Sequence, residues 1–198
     1  MSRPDLTLPA SFAELQRSAL ACTKCPLAAT RTQVVFGVGD EHADLMFVGE
    51  GPGEQEDLQG EPFVGRAGRL LTSLIEGIGL TRAEVYIANV VKCRPPGNRD
   101  PLPLEIETCR PYLDAQLAFV DPRIVVTLGN FATKLLLDTK EGITKLRGRE
   151  FPVAGAPDGR GKVIIPVFHP SAVLRNGGAA LAEARADFVT IKRALARA

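Results

Sequence analysis

Tryptophan is absent from this 198-residue chain, aromatic residues make up only 6% of it, and histidine occurs twice. Any role that needs aromatic stacking therefore falls on a few phenylalanine or tyrosine side chains. No apolar run approaches the roughly 20 residues that a membrane-spanning helix requires. The first twelve residues show no basic start followed by an apolar run. We therefore expect neither a secretory signal nor a membrane anchor, and a cytoplasmic protein.

The net charge is only +1, so no strong overall field draws the chain to nucleic acid. Arginine supplies 17 of the 24 basic residues, and arginine suits bidentate contacts with phosphate. A GC-rich genome produces the same excess, so both explanations stay open. Length and composition correspond to one domain over residues 1–198, and without an oligomerisation signal we expect a monomer.

The four cysteines form one close pair and two distant single residues. Cys22 and Cys25 make a C-x2-C motif, and Cys93 and Cys109 follow with fifteen residues between them. In a reducing compartment two disulfides are disfavoured. Four thiolates suit either a tetrahedral zinc ion or a [4Fe–4S] cluster, and the spacing does not choose between them. Alternatively, only the C-x2-C pair is functional, and Cys93 and Cys109 are core residues.

Buried strands and helices alternate along the chain. Continuous apolar runs predict strands at 44–49, 85–91, 123–128 and 162–168, and helical spacing predicts helices at 11–21, 65–78, 103–120, 130–137 and 179–198. This order predicts an α/β fold, a three-layer α/β/α sandwich around a central four-stranded, mainly parallel sheet. Proline and glycine cluster at 94–103 and at 154–161, and the second cluster predicts an exposed turn between strands.

Ligands of such sheets bind beyond the carboxyl ends of the strands, so the residues that follow each strand matter most. After the first predicted strand come the letters GEGPG, which contain Glu50. Three glycines allow a ligand to approach the backbone closely. Because no Gly-Lys-Ser/Thr follows, a nucleoside-triphosphate site is disfavoured.

Four further features lie near strand ends or helix starts. Phe63 precedes a predicted helix, Asn89 lies near the end of the second strand, and His169 follows the fourth. Leu174 and Arg175 then place an apolar side chain beside a phosphate-binding group. Each residue alone has a plain structural explanation, such as a solvated turn, a core side chain or a turn cap. Their shared place at one edge of one sheet favours a common site.

The segments GEGPGEQED, EPFVGRAG, NVVKCRPP, TLGN and HPSAVLR, taken in this order, closely resemble the iron–sulfur family 4 enzymes of the uracil-DNA glycosylase superfamily. The resemblance runs from Cys22 to about Arg175. It implies a uracil-DNA glycosylase-like fold and excision of uracil from DNA by base flipping and hydrolysis of the N-glycosidic bond. It also implies that Cys22, Cys25, Cys93 and Cys109 hold a [4Fe–4S] cluster, which decides against zinc.

The resemblance, together with the chemistry of the side chains, predicts roles for the candidate residues. It implies catalysis by Glu50 and His169, and binding of the base by Gly49, Gly51, Glu56, Phe63 and Asn89, with Glu56 excluding the thymine methyl group. From their apolar or basic character we expect the DNA contacts to come from Lys145, Arg147, Arg149, Val173, Leu174 and Arg175. The alternative for the letters ITKLRGR, which contain the first three of these, is a solvated turn.

A related branch of the superfamily binds uracil-DNA covalently and does not turn over. That branch carries a basic, histidine-ended insert after the second strand and a glutamine in the glutamate-containing loop. Here Gly51 stands at that loop position, and residues 92–101 contain no histidine. We therefore expect a turnover enzyme, with a non-turnover or covalent uracil-DNA binding protein as the alternative. Family 5 enzymes are a poorer match because their first loop usually lacks this glutamate.

Overall fold

The computed structural model describes residues 9–153 and 162–197. In chain order its main elements are α1 (Phe12–Leu20), β1 (Val38–Gly39), β2 (Leu45–Gly49), α2 (Glu54–Gln59), α3 (Arg66–Gly77), β3 (Tyr86–Asn89), α4 (Pro103–Val120), β4 (Ile124–Leu128), α5 (Asn130–Leu137), α6 (Ile143–Leu146), β5 (Phe151–Val153), β6 (Lys162–Val167), α7 (Pro170–Asn176) and α8 (Gly178–Arg197). Short 3₁₀ turns cover Pro26–Ala29, Arg82–Glu84 and Pro96–Asn98. The turn predicted at 154–161 lies outside the described residues.

The sheet confirms the predicted parallel core and adds a short strand at each edge. Its order is β1-β3-β2-β4-β6-β5. The four inner strands are parallel and correspond to the predicted ones, whereas β1 and β5 pair antiparallel with β3 and β6. In the described residues the sheet therefore has two strands more than the four predicted. Both added strands have three residues or fewer, too few to show an apolar pattern in sequence.

Helices cover both faces of the sheet, which confirms the three-layer sandwich. On one face Phe47 and its neighbours pack against α3, α7 and α8, and on the other Met46 and Val48 pack against α1, α4 and α5. Because successive strand residues point to opposite faces, a continuous apolar run fills both cores. The five predicted helices are present with ends shifted by two residues or fewer.

Local chemistry explains where helices begin. The Ser11 hydroxyl accepts a hydrogen bond from the N–H of Glu14 at 3.2 Å, which caps α1. Pro103 opens α4, where its missing N–H costs nothing. The sequence reading missed α2, α6 and α7, each of seven residues or fewer. Within residues 9–153 and 162–197, no helix is long and apolar enough to span a bilayer.

Candidate active site

A cavity of about 630 Å³ opens at the carboxyl edge of the sheet. The segments that follow all four parallel strands contribute to its wall, as the rule for ligand sites in such sheets predicts. The lining residues are Glu50, Gly51, Pro52, Gly53, Glu56, Phe63, Ala67, Asn89, Pro95, Asn98, Arg99, Asp100, Pro101, Gly129, Asn130, Phe131, Ile143, Phe168, His169, Ser171, Ala172 and Arg175. The structure thus brings most of the predicted catalytic and base-binding residues to one place.

Glu50 lies at the end of β2 and is half-buried in this wall. Burial, together with the negative charge of Asp100, raises the pKa of Glu50 to about 7. The carboxyl group therefore exchanges a proton near neutral pH, the range in which an acid–base group is useful. The sequence pattern did not single out Asp100, because it lies in an irregular loop with no periodic signal.

Asn89 ends β3 directly beside the end of β2. Asn89 is only 1% exposed, and its Oδ1 atom has no hydrogen-bond partner in the described part of the chain. An orphaned buried acceptor is costly, so such an atom points to a ligand that donates to it. The neighbouring Gly49 leaves room for this side chain: a β-carbon there would overlap Asn89 Oδ1 and lie 2.6 Å from Cζ of Phe63.

Phe63 contributes its ring to the cavity from an unusual backbone conformation. Its φ angle is 55°, in the left-handed region that bulky side chains rarely adopt. The ring centroid lies 5.7 Å from that of His169. One carboxylate oxygen of Glu56 accepts hydrogen bonds from the N–H groups of Val64 and Gly65, both at 3.0 Å. Glu56 therefore supports the start of α3, and its contact with thymine stays a prediction.

His169 follows β6 and caps the N-terminus of α7. Its Nδ1 atom accepts a hydrogen bond from the backbone N–H of Ser171 at 3.2 Å and lies 2.7 Å from the Ser171 hydroxyl. Burial, and then the charge of Arg175, lowers the pKa of His169 to about 4. A ring that is neutral and accepts at Nδ1 carries its proton on Nε2. The imidazole is thus a neutral hydrogen-bond donor within this cavity.

The predicted DNA-contacting residues divide into two groups. Leu174 is exposed at 42%, Arg175 lines the cavity, and Lys145 and Arg149 are exposed. Val173, by contrast, is 2% exposed and packs in the core with α3 and α8. Two apolar residues were expected to act as a wedge. Only the Leu174 side chain is exposed, because the Val173 side chain points from α7 into the core.

Arg147 has partners other than phosphate. Its guanidinium forms an ion pair with Asp187 of α8 at 3.0 Å and lies 5.0 Å from the centroid of the Phe168 ring. Asp187 is 4% exposed, and its burial raises its pKa to about 6 despite the arginine. Arg147 thus has a structural role, because the turn after α6 folds back onto α8, and its phosphate contact stays a prediction.

The four cysteines line a second, small cavity, whose wall also contains Lys92. Cys93 and Cys109, for which a plain core role was the alternative, lie there beside Cys22 and Cys25, and all four are free thiols. The Cys93 sulfur accepts from Arg31, and the Cys109 sulfur accepts from the N–H of Lys92, each at 3.3 Å. N–H donors and nearby cations stabilise the negative charge of thiolate ligands. Among residues 9–153 and 162–197, no three Cys, His, Asp or Glu side chains converge on a single metal ion.

Lys92 lines the cysteine cavity and also contacts Asn89 of the active-site cavity. Its ammonium group is fully buried and donates to the backbone oxygen of Asn89 at 2.7 Å and to Oε1 of Gln116 at 2.5 Å. Burial lowers the pKa of Lys92 to about 8. The sequence reading missed this lysine, since a buried cation carries no sequence signal of its own. Gly129 and Ser171, also missed, lie one and three residues after predicted strand ends, where ligands of such sheets bind.

This chain is similar to known proteins over most of its length. The model of the uracil DNA glycosylase superfamily matches residues 36–195. The chain is 45% identical to the Type-4 uracil-DNA glycosylase of Archaeoglobus fulgidus over 83% of both chains. It is 51% identical to the Thermotoga maritima protein of that name over 78% of this chain and 79% of that one. It is also 45% identical to the Sulfurisphaera tokodaii protein of that name, over 84% of this chain and 77% of that one. The resemblance seen in the motifs is therefore confirmed, and the chain belongs to the uracil-DNA glycosylase superfamily.

Proposed function

We propose that this chain is a monofunctional uracil-DNA glycosylase of base excision repair, which flips uracil out of DNA and hydrolyses its N-glycosidic bond. The observation that carries the proposal is the orphaned Oδ1 of Asn89, which shares one cavity with Phe63, His169 and a carboxyl group of raised pKa. A flipped base needs a stacking surface and hydrogen bonds to its edge. This cavity offers both.

The amide of Asn89 selects uracil. Its Oδ1 atom accepts from N3–H of uracil, and its Nδ2 group donates to O4. Cytosine presents the reversed pattern at these two atoms, so binding it would leave buried polar groups unpaired at about 1–3 kcal/mol each. The Phe63 ring stacks on the face of the base, and the backbone of Gly49 and Gly51 borders it. Exclusion of thymine by Glu56 remains part of the proposal.

Cleavage passes through a sugar with oxocarbenium character and a departing uracil anion. The neutral His169 donates from Nε2 to O2 of uracil, where negative charge develops. The ionised Glu50 offsets positive charge on the sugar and orients the attacking water. Because the His169 pKa is about 4, this donor keeps its form throughout the physiological range.

DNA binding combines a wedge with phosphate contacts. The exposed Leu174 fills the space that the flipped nucleotide leaves, as apolar side chains do in other DNA-bending proteins. Arg175, beside it on α7, and the exposed Lys145 contact phosphates. Replacing Leu174 by Ala should therefore slow excision from duplex DNA more than from single strands, which need no wedge.

The resemblance implies a [4Fe–4S] cluster, and the four cysteines that line the second cavity support this part of the proposal. Each thiolate of such a cluster binds a separate iron, so its ligands surround a shared space and do not converge on one point. Cys22, Cys25, Cys93 and Cys109 are arranged in this way, and Arg31 and Lys92 are positioned to hydrogen-bond their sulfurs. When bound, the cluster would fix the N-terminal segment against α4. The cytoplasmic location and the monomeric state also remain proposals.

One experiment tests the proposed function. Purified full-length protein is mixed with uracil-containing single-stranded DNA, and both free uracil and alkali-labile sites are measured with DNA in excess. We expect many turnovers, and strong loss of both products in Glu50→Gln and His169→Ala. A stable protein–DNA adduct without turnover would contradict the proposal and favour the covalent branch. Colourless but active protein would contradict only the cluster.

A further inference from the structure

A cation outside the active-site cavity holds the backbone of the base-stacking residue. Arg82 lies in the 3₁₀ turn Arg82–Glu84, before β3, and is absent from the active-site wall. Its guanidinium donates to the backbone oxygen of Pro62 at 2.9 Å and to that of Phe63 at 3.3 Å. It also donates to the hydroxyl of Thr72 in α3 at 3.3 Å.

The peptide bond after Phe63 is held at both ends by opposite charges. Its carbonyl accepts from Arg82, and its N–H, which belongs to Val64, donates to Glu56 at 3.0 Å. Phe63 itself has a φ of 55°, which an unsupported phenylalanine would rarely keep. The surrounding contacts must therefore impose this conformation.

Close packing removes the alternative positions of this peptide. A β-carbon at Gly68 of α3 would overlap both the carbonyl oxygen and the carbonyl carbon of Phe63. The Phe63 carbonyl thus lies against the helix backbone on one side and faces Arg82 on another. The Phe63 side chain is directed the other way, into contact with Gly49 and toward His169.

We propose that Arg82 is a positioning residue for uracil excision, which acts through Phe63 by fixing the backbone that lays its ring on the base. The inference rests on the proposed function, since it assigns the Phe63 ring to stacking on uracil. Arg82 does not touch the base. Without its two hydrogen bonds, Phe63 relaxes toward an ordinary φ, and its ring leaves the stacking position.

A double-mutant cycle tests this coupling. We expect Arg82→Met to lower the single-turnover rate of uracil release by about 10- to 100-fold, because a small misplacement of a binding group is that costly. In a Phe63→Ala background the same change should alter the rate by less than ~2-fold, since the two residues act as one unit. Arg82→Met and Phe63→Ala should also weaken inhibition by free uracil to a similar extent.

Two further variants distinguish a positioning role of Arg82 from a general effect of its charge and from a loss of folding. Arg69 lies beside Arg82 in the wall of a cavity behind Phe63 and is exposed, so Arg69→Met removes a nearby charge and should leave the rate within ~2-fold. Arg82→Lys keeps the charge and one hydrogen bond, and we expect a rate between those of the wild type and Arg82→Met. If Arg82→Met does not fold, Arg82→Lys in the two backgrounds provides the same cycle.

Additive losses in the cycle, or an equal loss in Arg69→Met, would overturn the inference while leaving the proposed function intact. Wild-type protein that releases no uracil would instead contradict the proposed function. In that case a crystal structure of Arg82→Met decides the inference separately, and a Phe63 φ that stays near 55° would overturn it.

Discussion

Gly49 and Asn89 are paired across the parallel strands β2 and β3, and the Asn89 side chain occupies the space that a β-carbon on Gly49 would need. The Asn89 side chain thus has its space only because the neighbouring residue is glycine. The same hypothetical β-carbon would lie 2.6 Å from Cζ of Phe63. One missing methyl group therefore makes room for two of the groups that we propose to bind the base.

Gly49→Ala should abolish base recognition with little effect on the fold. The added methyl group displaces Asn89 and Phe63, and we expect excision of uracil to fall by about 100-fold. Gly77→Ala is the matched control, because a β-carbon there has no neighbour within 4 Å. It should keep full activity and raise the free energy of unfolding by about 0.5–1 kcal/mol, since Gly77 is helical. Unchanged excision by Gly49→Ala would contradict the assigned geometry.

The ionisation of Glu50 should control the pH dependence of activity. Because its pKa is about 7, kcat/KM should rise with pH through that value as the carboxylate forms. Glu50→Gln should lose about 100-fold or more in rate, together with this dependence on pH. A wild-type profile that is flat between pH 5 and 8 would contradict the role of Glu50.

The raised pKa of Glu50 also predicts that the stability of the fold depends on pH. A carboxyl group whose pKa is higher in the folded than in the unfolded state favours folding below the unfolded value, and this contribution is lost as pH rises to about 7. Above pH 7 the ionised Glu50 therefore costs stability. Glu50→Gln should raise the free energy of unfolding at pH 8 by about 1–2 kcal/mol, a value reduced for solvent screening. Urea denaturation at pH 5 and pH 8 measures the difference.

Asp100→Asn should move the pH profile. Burial is the larger cause of the raised Glu50 pKa, and the charge of Asp100 is the second. Removing that charge should shift the rising limb of kcat/KM to lower pH without eliminating it. A limb that stays in place would show that Asp100 is too well screened to act on Glu50.

Ser171→Ala should separate the two hydrogen bonds to His169. The backbone N–H of residue 171 remains and still donates to Nδ1, so the proton stays on Nε2. We expect about a 10-fold loss of rate from looser orientation, against about 100- to 1,000-fold for His169→Ala. Since the chain has only two histidines, ¹⁵N NMR can assign the tautomer directly. A proton on Nδ1 of His169 in the wild type would contradict the assigned donor.

Arg147→Met should lower stability and leave DNA binding intact. The change removes the partner of a buried carboxylate, Asp187, and should cost about 2 kcal/mol in the free energy of unfolding. The salt dependence of DNA affinity should not change, whereas in Lys145→Met its slope should fall by about 1. An equal fall in slope for Arg147→Met would restore Arg147 as a phosphate contact.

The apolar runs of β2, β3, β4 and β6 allowed the architecture to be predicted from the sequence. Strands buried on both faces must be apolar at every position, so the parallel sheet and the edge that bears the site were readable from the sequence. Glu50 and His169 could be chosen because they follow such strands, and Asn89 because it lies near the end of one. Short elements such as β1 and α7 could not be found, since a few residues show no period.

What the amino-acid order determined by itself was the strand–helix alternation, the spacing of the cysteines and the family to which the motifs belong. Only the tertiary structure decided which partner each polar group finds. It placed Arg147 against Asp187, Val173 in the core, Arg82 behind Phe63 and Asp100 beside Glu50. These pairs are distant in sequence or lie in irregular loops, and their energies depend on burial and on distances that exist only after the chain has folded.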